Sequence, residues 1–371
     1  MAPERQRFLE QAQQFLRRVG VDELRAKLDQ ERRRQVRLPW LVAVPRGPLD
    51  FVCGATRPPP DWCVVGCDSS SIPPDRHSSL RYYAVNVGYA VLRYGQSPYA
   101  ALEARSQLCF RDAELYVFPE RKEVPIEGAL LNARMEIAAL AALREVAPGL
   151  PRPTLALRDG PLVLWTLQAE SEHVQQVLLR DFLDAMSVLC QERVALGGYI
   201  SFSDARDVVN SLRAMLCPTG PDDCSSCTMA NRDLCLALAS LRDRELFGFL
   251  APGERSQTFG SSSQILEQYG EHRIDFFYLN AGGEIARVEV PQWLSADPQA
   301  LAFAHAALYD QCERSPSYPP YPPALQEAHE QAVISAVERD VVEEMVESAL
   351  GRWGHHLSRS AKDGSKRRRG V

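Results

Sequence analysis

Two aspartates in this 371-residue chain stand where short apolar runs stop. Asp68 follows WCVVGC at 62–67 and is trailed by Ser69 and Ser70; Asp159 follows TLALR at 154–158 and is trailed by Gly160. Each run reads as a buried strand that ends in a turn. The small residues after each carboxylate leave room for a ligand to approach the backbone. If the two strands are neighbours, they bring two hard oxygen donors to one sheet edge, a pair that suits Mg²⁺ or Mn²⁺. The plainer alternative is that each aspartate simply opens a turn. Glu136 lies mid-helix on the face of Leu140 and Leu143. A glutamate on an apolar stripe is uncommon unless it is paired or ligating, and an ion pair with Arg134 or Arg144 is the competing explanation. His329, at the start of a late helix in ALQEAHEQAVIS, can ligate a metal, donate a proton or serve as a structural imidazole.

A second constellation is thiol-based. Cys217, Cys224, Cys227 and Cys235 are spaced C-x6-C-x2-C-x7-C. The inner CxxC suits chelation of Zn²⁺ or an iron–sulfur cluster in a structural role, although the outer spacings match no standard zinc ribbon. The remaining cysteines are scattered and read as small buried side chains. With no signal peptide, a disulfide framework is a poor reading of the ten cysteines.

The elements that must position these groups alternate between strand and helix. After the strand at 62–67 comes an antiparallel partner at 81–94, then a helix at 126–146, the strand at 154–158, a helix at about 172–192 and a strand at 196–202. This order gives an α/β fold with a mixed sheet flanked by helices. Residues 3–37 read as helical and rich in Arg and Lys; 276–290 reads as a hairpin around Gly282-Gly283; a Pro- and Tyr-rich loop at 315–329 leads into a helix to about 350. The division expected is a helical arm at 1–50, a catalytic domain at 51–350 with a cysteine-bearing insertion at 216–236, and a basic, disordered tail at 351–371. Composition is that of a globular protein, 45% hydrophobic and 24% charged, with a net charge of −6. A generally basic nucleic-acid binder is thereby excluded, so contacts with DNA must come from local patches. No apolar stretch reaches membrane-spanning length, and a soluble cytoplasmic protein without membrane contact is expected.

The ordered set VVGCDSSS, NARMEIAAL, LALRDGPL and YPPALQEAHEQAVIS resembles the NurA nuclease family over about residues 60–345. DRELFGFL, GERSQTFGSSSQIL and the strand IARVEVP belong to the same resemblance, as scaffold or DNA-facing loops. The resemblance implies an RNase H-like core and a Mn²⁺- or Mg²⁺-binding active site made by Asp68, Glu136, Asp159 and His329. It also implies a 5′–3′ exonuclease and single-strand endonuclease acting in DNA end resection for double-strand-break repair. Homodimerisation and a HerA-type hexameric translocase ATPase as partner follow from it too. The first turn reads Asp-Ser-Ser where the family usually has Asp-Gly-Ser, which preserves the carboxylate. In GYISFSDAR, Ser201 and Ser203 stand where many relatives carry a basic residue, and Arg206 is the candidate to replace that phosphate contact.

Two other classes compete with an active nuclease. A catalytically weak DNA-binding scaffold docked on a translocase would not need all four of Asp68, Glu136, Asp159 and His329. An actin-like ATPase would need glycine-rich phosphate loops, which the turns after Asp68 and Asp159 lack. No G-x-x-x-x-G-K loop is present, so energy for DNA movement must come from a partner.

Overall fold

The computed structural model describes residues 3–33, 40–75, 80–217, 227–228 and 230–352. The expected basic tail from 353 onward and Cys224 lie outside the described residues. One eleven-stranded mixed sheet organises the chain. At its centre are β1 (Trp62–Ile72), β2 (Tyr83–Tyr94), β3 (Tyr99–Cys109), β4 (Thr154–Asp159) and β5 (Ala195–Ile200). The first three form an antiparallel meander, and β1, β4 and β5 run parallel. Their spatial order, β3-β2-β1-β4-β5, is the strand order of an RNase H-like core. The hairpin of β6 (Ile274–Asn280) and β7 (Ile285–Pro291) extends the sheet antiparallel from β5.

Side-chain alternation assigns the two faces of the sheet. On β1, Val65 and Cys67 join a core with α3 (Ala129–Val146) and α4 (Glu172–Gln191). Trp62 and Val64 point the other way, into a core with α7 (Pro298–Glu313) and α8 (Pro323–Ala332). β4 divides likewise: Ala156 faces α3, while Leu155 and Leu157 face the α7 side. Helices on both faces explain why WCVVGC is an unbroken apolar run rather than an alternating one. A third core joins α1 (Pro3–Arg18), α2 (Val21–Arg33), α5 (Asp207–Leu216) and α6 (Arg232–Ala239) to Phe276 and Tyr278 of β6.

Several expectations need correction. β1 does not end at Cys67; it runs on to Ile72, because β2 stays paired with it in register along its whole length. Only the parallel partner stops there, with Cys67 opposite Arg158. The helix expected at 3–37 is two helices separated at Val19-Gly20. The late helix starts at Pro323, so His329 sits in its last turn, and it breaks before α9 (Ala336–Arg352). β3 was not anticipated. Its sequence, YAALEARSQLC, has no apolar alternation, and nearly all of it is exposed as the sheet's edge strand.

Candidate metal centre

Asp68 and Asp159 leave the sheet on one face. Asp68 shares the parity of Val64 and Gly66 on β1, and Asp159 that of Leu155 and Leu157 on β4. α8 covers this face and supplies His329. Carboxylate and imidazole atoms of Asp68, Asp159 and His329 all lie within 4.8 Å of one another, and among the described residues this is the group of three or more such ligands that forms. His329 Nδ1 is 2.8 Å from Asp68 Oδ2, while the Ser69 amide donates to Oδ1 at 2.7 Å. The Asp68 carboxylate is thus fixed from both sides.

Two glycines bring the helix this close. A Cβ on Gly66 would sit 2.1 Å from the Ala324 carbonyl oxygen, and one on Gly88 would sit 2.3 Å from that of Ala328. Gly88 is the cross-strand partner of Asp68. The end of α8 is then tied to the sheet: Asn86 Nδ2 donates to the Gln331 and Ala332 carbonyls at 2.9 Å, and the Ser70 hydroxyl also donates to Ala332. These bonds satisfy the carbonyls that the helix terminus leaves without partners.

Asp159 feels opposing forces. Burial pushes its carboxyl above the usual aspartate range, a hydrogen bond from the Tyr321 hydroxyl works against this, and the charge of Asp68 raises it further. The loop after Asp159 is anchored by Glu289 of β7, which is fully buried and accepts from the Leu162 and Val163 amides at 2.8 and 3.2 Å. Arg287 compensates the buried charge, donating to Glu289 at 3.1 Å and to Asp207 at 3.0 Å. Tyr321, Glu289 and the two glycines escaped the sequence reading. The signal available for Glu289 was a pair of charges inside the apolar strand IARVEVP.

Glu136 is not in this cluster. α3 packs on the opposite face of the sheet, where Glu136 Oε2 lies 3.8 Å from the buried guanidinium of Arg158. Its ion pair is therefore with neither Arg134 nor Arg144. The site is still near, since Arg158 precedes Asp159 and the Ser69 hydroxyl donates to the Met135 carbonyl. Burial raises the Glu136 carboxyl, the charge of Arg158 opposes the rise, and Oε2 is buried without a hydrogen-bond partner. A carboxylate oxygen in that condition is a costly feature unless something else engages it.

Arg206 turns away from the strand end and donates to the Ala239 carbonyl. Arg244 comes to the strand end in its place, bonding the Phe202 and Ser203 carbonyls at 3.0 and 2.7 Å. Of the four clustered cysteines, Cys217, Cys227 and Cys235 are half-buried free thiols. Two hard carboxylate oxygens and one borderline imidazole nitrogen form a donor set able to hold a divalent cation, with the carboxylates suited to Mg²⁺ or Mn²⁺. No helix among the described residues is long and apolar enough to cross a membrane.

Comparison with known proteins gives one family. A family model described as the NurA domain matches residues 64–334. No curated protein matches the chain. Among solved structures, the NurA nuclease from Sulfolobus solfataricus aligns at 16% identity over 81% of this chain and 86% of its own, with a TM-score of 0.49. The catalytic domain of human Endonuclease V aligns at 13% identity over 87% of this chain and 97% of its own, with a TM-score of 0.31.

Proposed function

This chain belongs to the NurA family of nucleases, and on that premise we propose that it is a divalent-metal-dependent deoxyribonuclease centred on Asp68, Asp159 and His329. The observation that carries the proposal is the meeting of these three donors within 4.8 Å on one face of the sheet, under α8. A divalent ion held there supplies the positive charge that phosphodiester hydrolysis requires. The protein's own contribution is placement. Ser69 and His329 orient Asp68, Tyr321 and the anchored loop orient Asp159, and the half-exposed His329 faces the approaching phosphate. We assign Glu136 to the same site from the other side of the sheet, with Oε2, which is ion-paired to Arg158 but has no hydrogen-bond partner, as the ligand atom.

The finer reading is a 5′–3′ exonuclease and single-strand endonuclease in DNA end resection, working as a homodimer with a HerA-type hexameric ATPase. What supports it is the family and the absence of a nucleotide-binding loop from the chain's own sequence. The four cysteines are assigned a structural zinc ion or iron–sulfur cluster on the strength of their spacing. End-labelled single- and double-stranded DNA, incubated with the protein and Mn²⁺, Mg²⁺ or EDTA, tests the core proposal. Cleavage is expected with a divalent ion and none in EDTA; metal-independent cleavage, or none with any ion, overturns it.

A further inference from the structure

Phe202 combines an exposed aromatic ring with a strained backbone. It is 65% exposed, and its backbone has φ of 50°, a region that residues with a Cβ rarely adopt. Neither the core nor the local conformation gains from an aromatic ring there. Yet the segment is held firmly. The Phe202 amide donates to Glu284 Oε2 at 3.2 Å, and the Ser201 hydroxyl donates to the same atom at 2.8 Å. Arg244 ties down the carbonyls on the other side of the turn and places its guanidinium 4.3 Å from the centre of the Phe202 ring.

The position is as informative as the strain. Phe202 lies two residues beyond the end of β5, and Tyr199 of that strand pairs with Asp159. At about 3.3 Å per residue, three residues put Phe202 no more than roughly 10 Å from Tyr199, and Asp159 is one strand spacing of about 5 Å beyond that. The Arg244 guanidinium is fixed in place by Asp204 Oδ1 at 2.7 Å, a carboxylate that Arg242 shares at 3.3 Å, so the cluster holds its position and keeps a net positive charge. What the strand end offers a ligand is the ring itself, with one face backed by a fixed cation and much of the remainder open to solvent.

We propose that Phe202, backed by Arg244, is a stacking platform for an unpaired nucleobase of the DNA strand delivered to Asp68 and Asp159. The inference rests on the nuclease reading of that site. A flat, exposed aromatic ring accepts any base, because every base has a π-face, and stacking of this kind grips single strands without regard to sequence. A duplex keeps its bases stacked on one another, so the platform serves a frayed or separated end.

The test uses the full chain with fluorescein-labelled oligothymidylate, its binding followed by anisotropy in EDTA and its cleavage followed with Mn²⁺. Phe202→Ala is expected to bind about tenfold more weakly, within the range of losing one base–aromatic stack. Its KM should rise by a similar factor while kcat stays within about twofold. Phe202→Trp should restore binding, and Phe202→Leu, which keeps apolar bulk without the ring, should behave like the alanine variant. A 2-aminopurine oligonucleotide should lose its binding-induced quenching with Phe202→Ala. Thermal melts check that each variant folds, which an exposed side chain makes straightforward. If the wild type binds and cleaves but the alanine or leucine variant matches it in affinity, the platform is wrong and the nuclease stands. If the wild type neither binds nor cleaves DNA, the nuclease reading fails and the platform fails with it.

Discussion

Asp159 and Glu136 are carboxylates that burial pushes toward the neutral form, which makes them expensive to keep unless they act. Asp159→Asn and Asp68→Asn should lower DNA cleavage about a hundredfold or more, the scale on which metal sites respond to loss of a supporting group, while their melting temperatures stay at or above the wild type's. Glu136→Gln separates two roles at one residue. If Glu136 serves the metal, cleavage falls and stability holds; wild-type cleavage by this variant confines Glu136 to pairing with Arg158. A third prediction concerns pH and lies far from the metal. His305 is buried with Nε2 3.0 Å from the Gly253 carbonyl; burial, then the charge of Arg255, pushes its pKa down to about 4. The fold therefore favours neutral His305. The stability it contributes is fully present above the ordinary histidine value near 6.5 and is lost as pH falls through about 4. Across that window stability should drop by up to about 1.4 kcal/mol per pH unit from this residue. His305→Gln should flatten the slope in urea titrations at pH 4, 5, 6 and 7. Part of the slope will persist, because burial also depresses His272. An unchanged slope in His305→Gln would show that the ring does not titrate as described.

At the scale of elements, the decisive one is α8, which reaches the sheet only because Gly66 and Gly88 lack side chains. Gly88→Ala should push α8 outward and part His329 from Asp68, costing about 1–3 kcal/mol of stability, as overpacking does, together with most of the activity. Urea denaturation and a cleavage assay check both; full activity would mean that α8 docks without that close approach. The same element shows what the sequence could and could not reveal. Asp68 and Asp159 stand out in the sequence at the ends of apolar runs, His329 stands out only through the family resemblance, and the strand–helix order suffices for a mixed sheet. The face of the sheet that each side chain takes was not visible, because it depends on which helix covers which face. Hence Glu136 reads as a neighbour of Asp68 in sequence logic but sits across the sheet with Arg158. β3 was hidden for a different reason: its order comes from eleven paired residues on β2, not from burial of its own side chains.

For the whole molecule, the proposed partner has a physical motive. Separating duplex DNA is uphill by about 1.4 kcal/mol per base-pair step, and a chain of net charge −6 grips a polyanion weakly without local help. Duplex resection should therefore rise steeply when a HerA-type ATPase and ATP are added, while cleavage of short single strands changes little. Equal duplex resection by the isolated protein at physiological salt would remove the need for a motor. The cysteine site makes a separate claim about the molecule's composition: anaerobically purified protein should carry about one zinc ion or one iron–sulfur cluster per chain, and elemental analysis finding neither metal would reduce the four residues to ordinary thiols.

Asp68 and His329 meet across 261 positions of sequence. Synthesis completes the sheet and both aspartates before α8, so an incomplete chain that stops short of Pro323 lacks one of the three donors. Seen this way, the Pro- and Tyr-rich loop at 315–322 is a seam. Nicking it should give two fragments that are inert apart and that cut DNA again when mixed, provided α8 finds the two glycines unaided.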